Sequence, residues 1–227
     1  MLCLRRPSAE VSLTKDRRVR SGPRLGGRPG CVRSGASHHD GAVTAMIQIR
    51  AEHQGDAAAR ERLLDACFGA NRRTKTSERL REGRRPARGL AFSATRHGRL
   101  IGTLRLWTVS AGVRPALLLG PLAVDPALQR QGLGRVLMHA ALGRAEALGH
   151  GAVLLVGDAP YYARFGFSQD LAAGLVLPGP FARERFLGIE LRPGALTGAE
   201  GLVRATGLPA PAELDPAGAA DGRRRAA

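Results

Sequence analysis

The sequence predicts an α/β (α+β) domain: a mixed, mostly antiparallel twisted sheet flanked by helices, with one helical crossover making a parallel pair. Three observations carry that prediction. Short apolar runs recur between turn signals from Met46 onward, so strands outnumber helices. His97-Gly98 separates two such runs by two residues, a hairpin signal. A single strong amphipathic stretch, 132–148, stands between two strand-like runs, as a crossover helix would.

Taken in order, "MIQIRAEHQGDAAARERLLDACFGA" from Met46 reads as a strand, a turn and a helix of about Asp56 to Phe68. Asp56 suits the helix start, and Leu63, Leu64, Cys67 and Phe68 repeat at helical spacing. The polar run 72–89 reads as a helix plus a mobile loop. "LAFSATRHGRLIGTLRLWTVS" gives two strands around His97-Gly98. The next strand, "VRPALLLGPLAV", carries Gly120-Pro121, where a ladder bond is lost. In the helix from Gly132 to about Leu148, Leu133, Leu137, Ala140, Ala141 and Leu148 share one face, while Arg135, His139 and Glu146 face away. "GAVLLVGD" is a buried-type strand and "APYYARFGF" a short helix or turn into another strand. "FLGIELRPG" and "GLVRATG" supply the last two strands.

The 227 residues suit one sizeable domain with tails, and 44% hydrophobic content permits a core. Residues 1–45 show no sustained period and many loop-forming dipeptides, which predicts a basic, disordered extension; Met46 is then a candidate start. The domain proper spans 46–206, and 207–227 reads as a Pro/Ala/Arg-rich disordered tail. A net charge of +16 favours polyanions, yet no aromatic residues interleave the basic stretches. Nucleic acid is therefore a secondary reading, not the favoured one. Three cysteines form no paired framework and no C-x-x-C, which predicts a reduced, cytoplasmic setting. No stretch has the length of a membrane span. His38-His39 lacks further ligands at metal spacing, so no metal is expected.

The informative stretch is "AVDPALQRQGLGRVLMHAAL", 123–142: a strand, a proline turn, then Gly132 and Gly134 at the start of a helix. The first N–H groups of a helix have no intrahelical partner, and the macrodipole adds partial positive charge there. Glycines at that point let an anion approach, with Gln129 and Arg130 as side-chain donors and Arg135 as a charge. A tight turn with close helix packing explains the pair equally well. A Walker loop is excluded, since no Lys follows, and the dinucleotide fingerprint fails because position 137 is Leu.

"LAVDPALQRQGLGRVLM" resembles the acyl-CoA-binding segment of the GNAT superfamily of N-acetyltransferases, Q/R-x-x-G-x-G/A, matched by Gln129, Gly132 and Gly134. "GDAPYYARFGF" is similar to the family segment in which a tyrosine precedes Gly-Phe, in the form seen in small bacterial acetyltransferases. The resemblance implies acetyl-CoA as acyl donor and an amine as acceptor, in a monomer or homodimer. It implies a CoA pyrophosphate resting on the turn Gln131, Gly132, Leu133, Gly134, Arg135. A splay between the parallel strands 116–124 and 152–156 would admit the pantetheine arm, held by backbone groups of Leu122, Ala123 and Val124. Tyr162 is the implied proton donor to the leaving thiolate, with Tyr161 second; core packing is the alternative for both. Many relatives place a Glu on the strand before the glycine turn, where this chain has Leu119-Gly120-Pro121, so the base stays open. Asp158 either orients substrate or caps the following turn. The missing carboxylate keeps a non-catalytic CoA-binding module as the alternative.

Overall fold

The computed structural model describes residues 46–210. Residues 1–45 and 211–227, and with them His38-His39 and two of the three cysteines, therefore lie outside the described residues. The strands are β1 (Gln48–Ala51), β2 (Ala91–Arg96), β3 (Arg99–Ala111), β4 (Arg114–Val124), β5 (Ala152–Val156), β6 (Leu175–Val176), β7 (Phe186–Glu190) and β8 (Gly201–Ala205). The α-helices are α1 (Ala57–Phe68), α2 (Thr76–Arg79), α3 (Leu133–Ala147) and α4 (Ala159–Ala163). The sheet runs β1-β2-β3-β4-β5-β7, with β8 on the far half of β3 and β6 beside β8. β4 and β5 are parallel across α3, β6 and β8 are parallel, and every other pair is antiparallel.

Local chemistry explains the well-defined joints. His97 (φ 50°) and Gly98 (φ 74°) both take the left-handed conformation that a two-residue hairpin between β2 and β3 requires. Gly120 and Pro121 together stand opposite Arg105 alone, since Leu119 pairs Leu106 and Leu122 pairs Leu104. That β-bulge shifts the alternation of β4 by one residue. Leu117 and Leu119 pack under α3, and beyond the bulge Leu122 and Val124 do so too. Ala123 instead turns to the other face, with Leu63 and Leu64 of α1. Without the extra residue, Leu122 and Val124 would point at α1.

α3 buries Leu133, Leu137, Met138, Ala141, Leu142 and Ala145 against one face of the sheet. Leu148, expected on that face, is exposed, because the helix has ended and the chain turns at Gly149. The opposite face packs Trp107, Val109, Leu118, Leu154 and Phe186 with Leu175 of β6 and with Leu80 and Leu196 from turns. Fully burying a leucine contributes roughly 1.5–3 kcal/mol, so the two faces dominate stability.

Three expectations change. The run 72–89 is folded down: Leu80 is in the core, and Arg72 and Arg81 are buried. Arg72 reaches two carboxylates of α1, Asp65 Oδ1 at 2.8 Å and Glu61, which lets a charged segment pack. Residues 207–210 are docked, with Arg85 N–H donating to Leu208 O (2.8 Å) and Ala210 N–H to Gly83 O (2.8 Å). Phe167 leads directly into no strand, only a bridge from Ser168 to Gly188. Asp56 does stand at the start of α1, as expected, but its side chain ties β1 to β2 instead of capping the helix.

Candidate active site

The parallel pair β4–β5 is held by Leu117↔Val153 and Leu118↔Leu154, and no register continues beyond them. β4 runs six residues further, so its edge from Leu119 to Val124 has no neighbouring strand on the β5 side. A cleft of about 620 Å³ opens at the end of that edge. Its walls include Leu122, Val124, Gln129, Arg130, Gly132, Leu133, Gly134 and Arg135, together with Tyr161 and Arg164. Ala123 and Gln131 do not line it: Ala123 faces α1, and the Gln131 amide turns back to Ala127 O at 3.5 Å.

The two glycines do different work. Gly132 caps α3 at φ 89°, and no atom lies within 4 Å of where its Cβ would be. It is needed for the left-handed backbone and leaves open space before the helix N-terminus. Gly134 has an ordinary backbone, but a Cβ there would lie 2.9 Å from the Tyr161 hydroxyl oxygen. Gln129 folds back on the chain, its Nε2 donating to Val124 O at 3.2 Å, so it fastens the strand end to the turn. The N–H groups of Leu133, Gly134 and Arg135, in the first turn of α3, remain without intrahelical acceptors.

α4 brings the tyrosines to the other wall. Asp158 Oδ2 accepts from Tyr161 N–H at 3.3 Å, so its side chain caps the helix. Tyr162 lies across Gly157, where a Cβ would sit 2.2 Å from Cε2. Edge-on contacts with Tyr161 (centroids 4.9 Å apart) and Phe167 (5.9 Å) fix its ring. Burial pushes the Tyr162 phenol up to about 12. It raises that of Tyr161 as well, against the opposing charge of Arg164, whose guanidinium lies 4.8 Å from the ring centroid.

A second cleft, of about 560 Å³, lies on the β5 side. Leu122, Gln129 and Tyr161 line both clefts, so the two meet there; Tyr162, Asp158, Gly157 and Gly120 line only the second. Four cations (Arg72, Lys75, Arg81, Arg185) and two carboxylates (Glu78, Asp158) surround it. Sequence reasoning missed Glu78, Arg81 and Arg185 as lining residues. They come from the run 72–89, expected to be a helix plus a mobile loop, and from the turn just before β7, and nothing local in sequence marks them. Among the described residues no three His, Cys, Asp or Glu side chains cluster as metal ligands, and no helix is long and apolar enough to cross a membrane.

Comparison with known proteins agrees with this geometry. The acetyltransferase (GNAT) family matches residues 57–167. The uncharacterized N-acetyltransferase YhbS of Escherichia coli K12 is 32% identical over 157 residues, 68% of this chain and 93% of its own length. The structure of E. coli YhbS in complex with CoA aligns at a TM-score of 0.62, with 31% identity over 71% of this chain and 90% of that one. A GNAT family acetyltransferase from Brucella melitensis, in complex with acetyl-CoA, aligns at 0.52, with 26% identity over 66% and 90%. Fold, cleft and glycine turn thus converge on one assignment, and the chain belongs to the GNAT family of N-acetyltransferases.

Proposed function

We propose that the chain transfers the acetyl group of acetyl-CoA directly to an amine of a small molecule or protein, in the cytoplasm. The meeting of the two clefts at Leu122, Gln129 and Tyr161 carries this reading, since direct transfer needs donor and acceptor in one continuous space. In it the pyrophosphate sits on the first N–H groups of α3, flanked by Arg130 and Arg135. The pantetheine arm runs along the strandless edge of β4 and presents the thioester near Leu122.

The amine nitrogen attacks the carbonyl carbon, the C–N bond forms, and the C–S bond breaks. The thiolate leaves with the proton of Tyr162, whose phenol is still protonated at neutral pH. The N-protonated amide then gives its extra proton to the phenolate, leaving neutral amide, CoA thiol and the Tyr162 phenol. No carboxylate on β4 takes the proton of the incoming amine. Instead, the excess of cations around the second cleft disfavours an ammonium ion, so an amine bound there is held nearer its neutral, nucleophilic form.

The test is thiol release from acetyl-CoA by the purified chain across a panel of primary amines, with Tyr162→Phe alongside. Amine-dependent release that falls in the variant, with CoA binding retained, supports transfer. Binding of CoA without release for any amine would establish the non-catalytic module instead.

A further inference from the structure

One of the cations around the second cleft carries a donor that the transfer chemistry does not use. Arg81, in the turn after α2, is only 8% exposed. Its Nε donates to Ser77 O at 2.9 Å, its Nη2 donates to Ser77 Oγ at 2.8 Å, and Nη2 pairs with Glu78 Oε1 at 3.2 Å. Its Nη1 is buried with no hydrogen-bond partner among the described residues. A buried donor without an acceptor is costly, more so on a charged group. Burial accordingly draws the guanidinium below the ordinary arginine pKa.

Gly120 stands against Nη1: a Cβ there would lie 3.6 Å from it, with nothing else within 4 Å apart from Gly120 itself and its chain neighbours. Gly120 and Arg81 both line the second cleft, on whose rim Tyr162 also stands. Two further cations there, Lys75 and Arg185, form no ion pair among the described residues and add positive potential.

We infer that the acceptor is an amino carboxylate, its carboxylate seated against Arg81 Nη1 beside Gly120 and its amine turned to Tyr162. This rests on the acetyl-transfer reading above. A carboxylate fits better than a phosphate because only one guanidinium nitrogen is free, and the neighbouring Glu78 would repel a dianion.

Calorimetric titration of the full chain saturated with CoA tests it. The ligands are the common L-amino acids with their β- and γ-analogues, each beside its carboxamide. For the acceptor's class, the carboxylate is expected to bind about tenfold or more tighter than the carboxamide. That ratio should fall toward one in Arg81→Met and partly return in Arg81→Lys. Equal binding of both forms, a ratio that survives Arg81→Met, or no carboxylate binding to a CoA-loaded chain would each overturn the inference. If Arg81→Met does not fold, the wild-type ratio and competition by amine-free monocarboxylates decide it. Failure to bind CoA at all would overturn the acetyl-transfer reading itself.

Discussion

The hydroxyl oxygen of Tyr161 occupies the place beside Gly134 that a Cβ would crowd, at 2.9 Å. α4 and α3 therefore touch across the mouth of the first cleft through one phenol and one missing side chain. Gly134→Ala should push that ring toward the cleft. The crowded group is the end of a side chain that can shift, so we expect about 1 kcal/mol, roughly a fivefold rise in KM for acetyl-CoA. Gly132→Ala meets no atom but forces φ 89° on alanine; it should lower stability by roughly 1–2 kcal/mol. Steady-state kinetics and thermal melts on both variants separate the two effects; matching profiles would show that the glycines share one role.

Tyr162→Phe removes the proposed proton donor and leaves the ring in place. kcat should fall by about 10²–10⁴-fold with CoA affinity unchanged. Because the phenol is pushed up to about 12, the wild-type kcat/KM profile should rise with amine deprotonation and decline only as pH approaches that value. A falling limb near the ordinary tyrosine pKa would contradict the assignment.

Gly157→Ala probes the same ring from behind. A Cβ would stand 2.2 Å from Cε2 and 2.7 Å from Cδ2 of Tyr162, so the ring must move. We expect a loss of roughly 1–3 kcal/mol in stability, together with a fall in kcat. Denaturant unfolding with parallel turnover measurements checks this. Wild-type kcat in a folded variant would mean that the position of Tyr162 is immaterial.

Asp56 joins β1 to β2, accepting from Arg50 (2.6 and 2.8 Å), Ser93 Oγ (2.8 Å) and the His53 N–H (2.9 Å). The bond to Arg50, first among these, holds its carboxyl well below the usual aspartate range. Its contribution is whole above the unfolded pKa, about 3.9, and is lost as pH falls toward the folded value. Asp56→Asn should cost about 1 kcal/mol at neutral pH, a figure kept low because Arg50 is a third exposed. Urea unfolding at descending pH should show the deficit closing in acid; a deficit independent of pH would rule out the ionised pair as its source.

What the sequence made legible was local. His97-Gly98, Gly120-Pro121 and the stripe from Leu133 to Ala141 each impose a backbone or facial requirement that neighbouring residues satisfy. The same holds for the glycine turn, whose expected residues mostly line one cleft. What it concealed was long-range. Arg72 looks solvated until Asp65 and Glu61 of α1 come beside it. Leu175 and Val176 form a strand only because β8 is there to pair with, and residues 207–210 find acceptors and donors at 83–85. The amides of Gln129 and Gln131 fold back onto carbonyls that a turn exposes, which residue type does not announce.

The two rungs between β4 and β5, at Leu117 and Leu118, are the only ladder joining β5 and β7 to the rest of the main sheet among the described residues. A donor molecule lying along the remaining edge of β4 would complete that seam and become part of the architecture. Its binding energy is then also folding energy: at a hundredfold excess over Kd it adds about 2.7 kcal/mol to the native state. Amide exchange in β5 and β7 would slow accordingly, so the folded lifetime of the protein would track the supply of its own acyl donor.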